Sequence, residues 1–328
     1  MIKLFVHIRR SHGKMVCLLA FLLTVILTVS VIFFLPDPVL AGQGAAGYGM
    51  PWWAWPVILF IVALVLGIVA VLGGVGAGVL FVPVVCAFLP FHIDFVRGAG
   101  LIVALSGSLA ASPALLRKGL ADLRLSLPHA VIASTCSILG ALIGLALPTN
   151  IMQISLGLMI LLMVVVMLLV KKIEYPEVKE ACALSAALKI SGIYQDVSTG
   201  FNVNWQVHRT AQGLAVSALI GIMTGMFGLG ADWANIPMLN LIMGAPLKVS
   251  VATSKFLLSI TDTSAAWIYI NNGAVLPIVI VPSVIGIMLG SVAGVKLLSR
   301  KRPASARYIV IAILLVAGGR ILLKGFGI

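Results

Sequence analysis

The sequence predicts an all-α polytopic membrane protein: an N-terminal helix, then two inverted repeats, each a glycine-broken helical hairpin followed by three transmembrane helices. Three observations predict it. First, hydrophobic residues make up 61% of the 328 positions and charged residues only 9%, with a mean hydropathy of +1.19. A soluble domain carries about a quarter charged residues. Second, apolar runs long enough to cross a bilayer alternate with short basic segments. Third, glycines and prolines recur at one fixed offset of 154 positions, which pairs Gly67 with Gly221, Gly74 with Gly228, Gly76 with Gly230 and Pro83 with Pro237. The same offset pairs Gly119 with Gly273, Pro128 with Pro282 and Gly140 with Gly294, the mark of an internal duplication.

The elements follow in order. Residues 1–55 hold an N-terminal helix and an external aromatic segment. Lys3, Arg9, Arg10 and Lys14 precede the apolar run 15–35. Its length exceeds the apolar stretch of a signal peptide, so a retained helix is expected despite the small residues Val39-Leu40-Ala41. Pro51-Trp52-Trp53-Ala54-Trp55-Pro56 reads as an interfacial aromatic belt. The first repeat, 56–170, comprises a broken hairpin over 57–91 and spans over 99–116, 126–147 and 151–170. Residues 171–210 read as a cytoplasmic linker loop with five basic and four acidic residues. The second repeat, 211–328, comprises a hairpin over 212–246 and spans over 256–270, 275–298 and 308–323.

Charge sets the orientation. With the N-terminus cytoplasmic, the basic segments 1–14, 117–124, 171–211, 248–255 and 299–307 all fall inside, while Arg97 and Lys324 fall outside. Lys296 and Arg320 lie near span ends, where they can snorkel. The net charge of +13 is therefore loop charge under the positive-inside rule, not a nucleic-acid footprint. The loop at 117–124 is then inside and its repeat counterpart Asn271-Asn272-Gly273 outside, so the halves are inverted. A bacterial-type inner membrane is the expected location. The four cysteines form no CxxC pair, and no P-loop, metal or cofactor motif is present, so no cofactor is expected.

Inverted repeats with matched breaks place a binding site near the midplane. Gly74, Gly76, Gly78, Gly228 and Gly230 offer amides to an anion where helices break; close helix packing through small residues is the alternative. Asp232 and Asp262 are carboxylates within the core spans. At that depth each needs a partner, a proton or water, and each is a candidate for proton coupling; the alternatives are a helix cap for Asp232 and local hydrogen bonding for Asp262. Lys255 can neutralise an anion, pair with either carboxylate, or snorkel. Ser106, Ser108, Thr253, Ser254, Ser259, Thr261 and Thr263 can bond an oxyanion or return to their own helices. Asn235 and Trp233 flank the second break. His92 and His129 lack partners at metal-ligand spacing.

The glycine cluster Gly74-Val75-Gly76-Ala77-Gly78 with Pro83, then Gly228-Leu229-Gly230-Ala231 with Pro237 and Ala252-Thr253-Ser254-Lys255, resembles the TauE/SafE group of sulfite and organosulfonate exporters, also called the DUF81 or TSUP family. The likeness runs from about Gly67 to the C-terminus. It implies proton-coupled secondary transport, most simply export, of small anions such as sulfite, sulfonates or related sulfur and carboxylate anions. One departure is Asp232, where that family's glycine run usually continues. The expected partners are the small anion and the bilayer, with homo-oligomerisation left open and no nucleic acid. The alternatives are an anion channel, and an intramembrane aspartyl protease in which Asp232 and Asp262 share a proton; Gly228-Leu229-Gly230-Ala231-Asp232 has one residue too many for that signature.

Overall fold

The structure is a computed structural model. It describes residues 53–117, 121–169, 176, 182–188, 190–195, 202–300 and 306–327. The helix expected over 15–35 lies outside the described residues. From Trp53 onward the chain forms α1 (Ala54–Gly73), α2 (Ala77–Phe88), α3 (Ile93–Arg117), α4 (Leu123–Ala146) and α5 (Thr149–Leu169). A short helix α6 (Ala183–Ala187) and an antiparallel pair, β1 (Ser191–Gln195) and β2 (Asn202–Gln206), follow. The chain then forms α7 (Thr210–Phe227), α8 (Asp232–Pro237) extended by a π turn over Met238–Ile242, α9 (Leu247–Asn271), α10 (Pro277–Arg300) and α11 (Ala306–Gly325). It is a multi-pass, all-α membrane protein.

Six helices, α1, α4, α5, α7, α10 and α11, hold stretches long and apolar enough to cross a membrane. The two longest, α3 and α9, have 25 residues each, about 37 Å at 1.5 Å per residue. α9, with two lysines and an aspartate, is too polar to join that set. Asp94 and Arg97 lie on α3, and Lys248, Lys255 and Asp262 on α9. Both start earlier than the apolar windows 99–116 and 256–270 suggest, because their first turns carry the charged residues that hydropathy discards.

The packing explains the glycines. The most extensive interfaces pair α1 with α10 and α4 with α7; α3 packs on α9 and α5 on α11. A Cβ at Gly67 would lie 2.8 Å from the Ile287 carbonyl oxygen, and one at Gly221 would lie 2.4 Å from that of Ala133. Those partners are themselves 154 apart. Gly294 against the Ile68 oxygen (3.1 Å) and Gly140 against the Ile222 oxygen (2.2 Å) repeat the correspondence. Backbones approach this closely only where no side chain intervenes, as between membrane helices generally. Hydroxyl-to-carbonyl bonds add to this: Ser137 on α4 donates to the Thr261 oxygen on α9 at 3.1 Å.

Each hairpin is broken at a left-handed glycine. Gly74 (φ 66°) ends α1 and Gly228 (φ 69°) ends α7; this conformation is cheap only for a residue without Cβ. The returning arms each contain the matched proline. Pro83 and Pro237 lack the N–H that would close on Val79 and Trp233 four residues earlier. In the second arm the ladder then widens into the π turn, closed by the Met243 amide on the Met238 oxygen at 3.2 Å.

Two expectations need correcting. Trp53 is exposed, but Trp55 is buried and meets Phe91 edge to face at 5.5 Å, so it packs in the core instead of joining the belt. The segment 171–210 is not simply a loop, since it carries α6, β1 and β2. Trp205 of β2 is buried in a cluster with Leu125, Ile220, Leu239 and Met243, and the His208 amide donates to the Met243 oxygen at 3.0 Å. This segment therefore covers the end of the second returning arm.

Candidate functional site

The breaks meet. A Cβ at Gly76 would lie 2.8 Å from Asp232 Oδ2, and one at Gly78 would lie 3.0 Å from the Leu229 oxygen. Across α3, a Cβ at Gly100 would lie 2.5 Å from the Gly228 oxygen. The first residue of α8 thus rests on the residue that precedes α2, and glycine at Gly76 leaves room for a carboxylate.

Asp232 is 2% exposed and fully engaged. Ser254 Oγ donates to Oδ1 at 2.9 Å, and the Lys255 ammonium pairs with Oδ2. Both donors sit on adjacent positions of α9, two turns in from its start. The Lys255 side chain retains 24% exposure, so the pair is not fully sealed on the lysine side. A partly exposed ion pair suffers less desolvation than a fully buried one.

A pocket of about 110 Å³ lies beside this pair. Gly73, Gly74 and Val75 of the first break form one wall, Asp232, Trp233, Ile236 and Pro237 of α8 another, and Val166 and Met167 of α5 a third. Arg307, at the start of α11, completes the lining and donates to the Met167 oxygen. The pocket therefore combines an apolar body with one carboxylate and one guanidinium. The sequence reading missed Arg307, because it falls in the basic run 299–307 and looks like loop charge.

Several predicted residues do not converge on the pocket. Thr253 Oγ1 accepts from the Asp122 amide at 3.2 Å, which ties the start of α4 to α9. Ser106, Ser108, Ser259, Thr261 and Thr263 bond back to carbonyls of their own helices, the bland alternative for such hydroxyls. Gly228 packs with a Cβ position 2.4 Å from the Arg97 oxygen, and Gly230 faces Ala104 and Leu258. Asn235 is buried, and its Oδ1 has no hydrogen-bond partner among the described residues. His129 is buried, with Nδ1 on the Leu125 oxygen at 2.8 Å, a helix-packing role.

Asp262 stands apart. It is fully buried, and neither carboxyl oxygen has a hydrogen-bond partner among the described residues. Its Oδ2 would lie 3.7 Å from a Cβ at Gly230, behind the second break. No hydrogen bond joins it to Asp232, so the two do not form the proton-sharing dyad an aspartyl protease requires.

Arg97, expected in an external loop, is instead fully buried. Its guanidinium donates to the Met226 oxygen at 2.7 Å and the Gly144 oxygen at 3.2 Å, pairs with Asp94, and stacks 5.7 Å from the Tyr269 ring centre. Tyr269 Oη donates to the Gly225 oxygen at 3.0 Å. Together they satisfy the last carbonyls of α7, where the helix dipole favours a cation and the break leaves no intrahelical donors. At the end of α2, Lys324 Nζ donates to the Cys86 oxygen at 3.1 Å and Arg320 lies over Phe88 at 5.1 Å. Arg97, Arg320 and Lys324 thus sit at helix ends.

The profile of the family described as sulfite exporter TauE/SafE matches residues 58–321. The chain is 22% identical over 278 residues to the "Probable membrane transporter protein YunE" of Bacillus subtilis (strain 168), covering 82% of this chain and 98% of that protein. No solved structure matches. The profile begins within the first broken hairpin and ends within the last helix, so it takes in both breaks, Asp232 and Lys255, and the chain belongs to the sulfite exporter TauE/SafE family.

Proposed function

We propose that this membrane transporter is a secondary active exporter of small anions, such as sulfite, sulfonates or related sulfur and carboxylate anions, coupled to protons across a bacterial-type inner membrane. Its N-terminus is cytoplasmic and its halves are inverted repeats. The observation that carries the reading is the meeting of the breaks at Asp232, which is held by Lys255 and Ser254 and lines a pocket together with Arg307. The guanidinium that lines the pocket and the ammonium held on its carboxylate suit an anion, and the apolar wall suits its small organic body. The offset-matched helix contacts support the inverted-repeat reading, and burial of Asp232 and Asp262 in the interior supports a proton-coupled cycle.

The test is counterflow of labelled sulfite and methanesulfonate in proteoliposomes. Wild-type protein exchanges both, and Lys255→Ala reduces exchange at least tenfold while the protein still elutes as a folded species. Full exchange by Lys255→Ala would remove Lys255 from the substrate path, and no exchange of any small anion by wild-type protein would refute the transport reading.

A further inference from the structure

We propose that Asp232 is a tethered competitor of the transported anion: its carboxylate occupies the anion's own seat on Lys255 and Ser254, and must be protonated before substrate can take those donors. The proposal rests on the transport reading and specifies how protons enter it.

The seat is defined by what holds the carboxylate. An oxyanion needs a cation, a neutral hydroxyl or amide donor, and a backbone close enough to admit it. Lys255 supplies the first, Ser254 the second, and Gly76 the third. All three are engaged by Asp232, whose side chain is 3% exposed and lines a pocket of about 110 Å³. That space exceeds the volume one ordered water requires, about 10–15 Å³ on the same measure, so a small anion has room beside the carboxylate it would replace.

The offset of 154 shows that the competitor is an addition to the seat. Asp232 and Ser254 correspond to Gly78 and Gly100. In the first half the two glycines close on each other, a Cβ at Gly78 lying 3.3 Å from the Gly100 oxygen. In the second half the same approach is filled by a carboxylate and a hydroxyl that bond to one another. The backbone is therefore held in the first half without any acid, which separates the acid's role from that of the scaffold.

The charges that face Asp232 are few. Lys255 and Asp262 come from α9 and Arg307 from α11; α1, α2 and α5 present no titratable group to it among the described residues. With Asp232 ionised, Lys255 is already neutralised, and a second anion would meet the carboxylate's repulsion. One proton from water on Asp232 releases the ammonium, the anion takes its place, and the charge of the pair is unchanged. Proton and monoanion then move together, and the net direction follows their combined gradients, so export needs an outward anion gradient that outweighs the proton gradient.

The experiment compares wild type, Asp232→Asn and Asp232→Gly, the last restoring the residue found at Gly78, in methanesulfonate binding and counterflow across a pH series. Methanesulfonate keeps a single negative charge throughout, so any pH dependence belongs to the protein. For wild type, apparent affinity falls by about tenfold per pH unit once Asp232 is ionised, as loss of one required proton dictates. Both variants bind at least tenfold more tightly at the alkaline end, show no pH slope, exchange methanesulfonate, and fail to accumulate it when a pH gradient is imposed. The inference is overturned if wild type exchanges the probe but both folded variants lose binding as Lys255→Ala does, or if either keeps the wild-type slope. A wild type that moves no anion at all instead overturns the transport reading beneath it.

Discussion

Replacing Arg97 by alanine is the sharpest structural test, because one side chain holds three elements at the second break. The guanidinium is fully buried and donates to the Met226 and Gly144 oxygens, while Tyr269 stacks on it and itself holds the Gly225 oxygen. A hydrogen bond to a charged group contributes about 1.5–3 kcal/mol, so losing two such bonds costs about 3–6 kcal/mol. The ion pair with Asp94 adds little, because that carboxylate is 30% exposed and can rehydrate. Arg97→Lys offers one compact ammonium to two carbonyls on different helices and retains about half of the loss. The assay is thermal unfolding in detergent, followed through tryptophan fluorescence and paired with counterflow. Arg97→Ala should unfold well below wild type, Arg97→Lys between the two, and exchange should fall in the same order. Arg97→Ala within about 1 kcal/mol of wild type would refute the bracing role, since it would show the α7 carbonyls satisfied without it.

Two further outcomes follow from the same coordinates. Gly221→Ala puts a methyl 2.4 Å from the Ala133 oxygen and Gly140→Ala one 2.2 Å from the Ile222 oxygen, so each lowers the melting temperature, with overpacking costing about 1–3 kcal/mol. Gly319→Ala meets nothing within 4 Å, and the same melt should leave it unchanged. His92 is raised above the ordinary imidazole value chiefly by its hydrogen bond to Asp94, which it faces at 3.3 Å. A raised imidazole stabilises the fold below its unfolded value and loses that contribution as pH rises through the folded one. At 41% exposure the effect stays below about 1 kcal/mol, and His92→Gln should abolish that slope in melts taken across the neutral range.

Much of the architecture is legible in the sequence because the membrane imposes it. Apolar length marks the spans, and the left-handed glycines that end α1 and α7 stand where the repeated glycine clusters put them. The site is legible in part. Asp232, Lys255, Gly74 and Gly76 do gather, and the pairing of Asp232 with Lys255, which are 23 residues apart, is among the alternatives the residues themselves raise. Three things are not legible, for physical reasons. Hydropathy shortens α3 and α9, since the charges that make them useful at the centre are the ones it penalises. Arg97 reads as a loop charge because sequence counts its charge but not the carbonyls that two helices turn toward it. Trp205 reads as part of a polar loop, because its burial depends on Met243 and Leu239, which lie more than 30 positions away.

The asymmetry between the halves has a steric basis. A side chain at Gly78 would press to 2.8 Å from the Ala104 methyl as well as 3.0 Å from the Leu229 oxygen, and one at Gly100 to 2.1 Å from a Val82 methyl. The first half thus has no room for an acid at that position, whereas the second half widens just enough for Asp232 to cross and rest on Gly76. The two matched breaks therefore leave only one place for a charged group between them. One carboxylate set against two glycine breaks avoids the repulsion that a matched pair of acids would suffer at the interface. It also puts Asp232, Lys255 and Ser254 on the same half, where a single movement of α8 against α9 would separate them together.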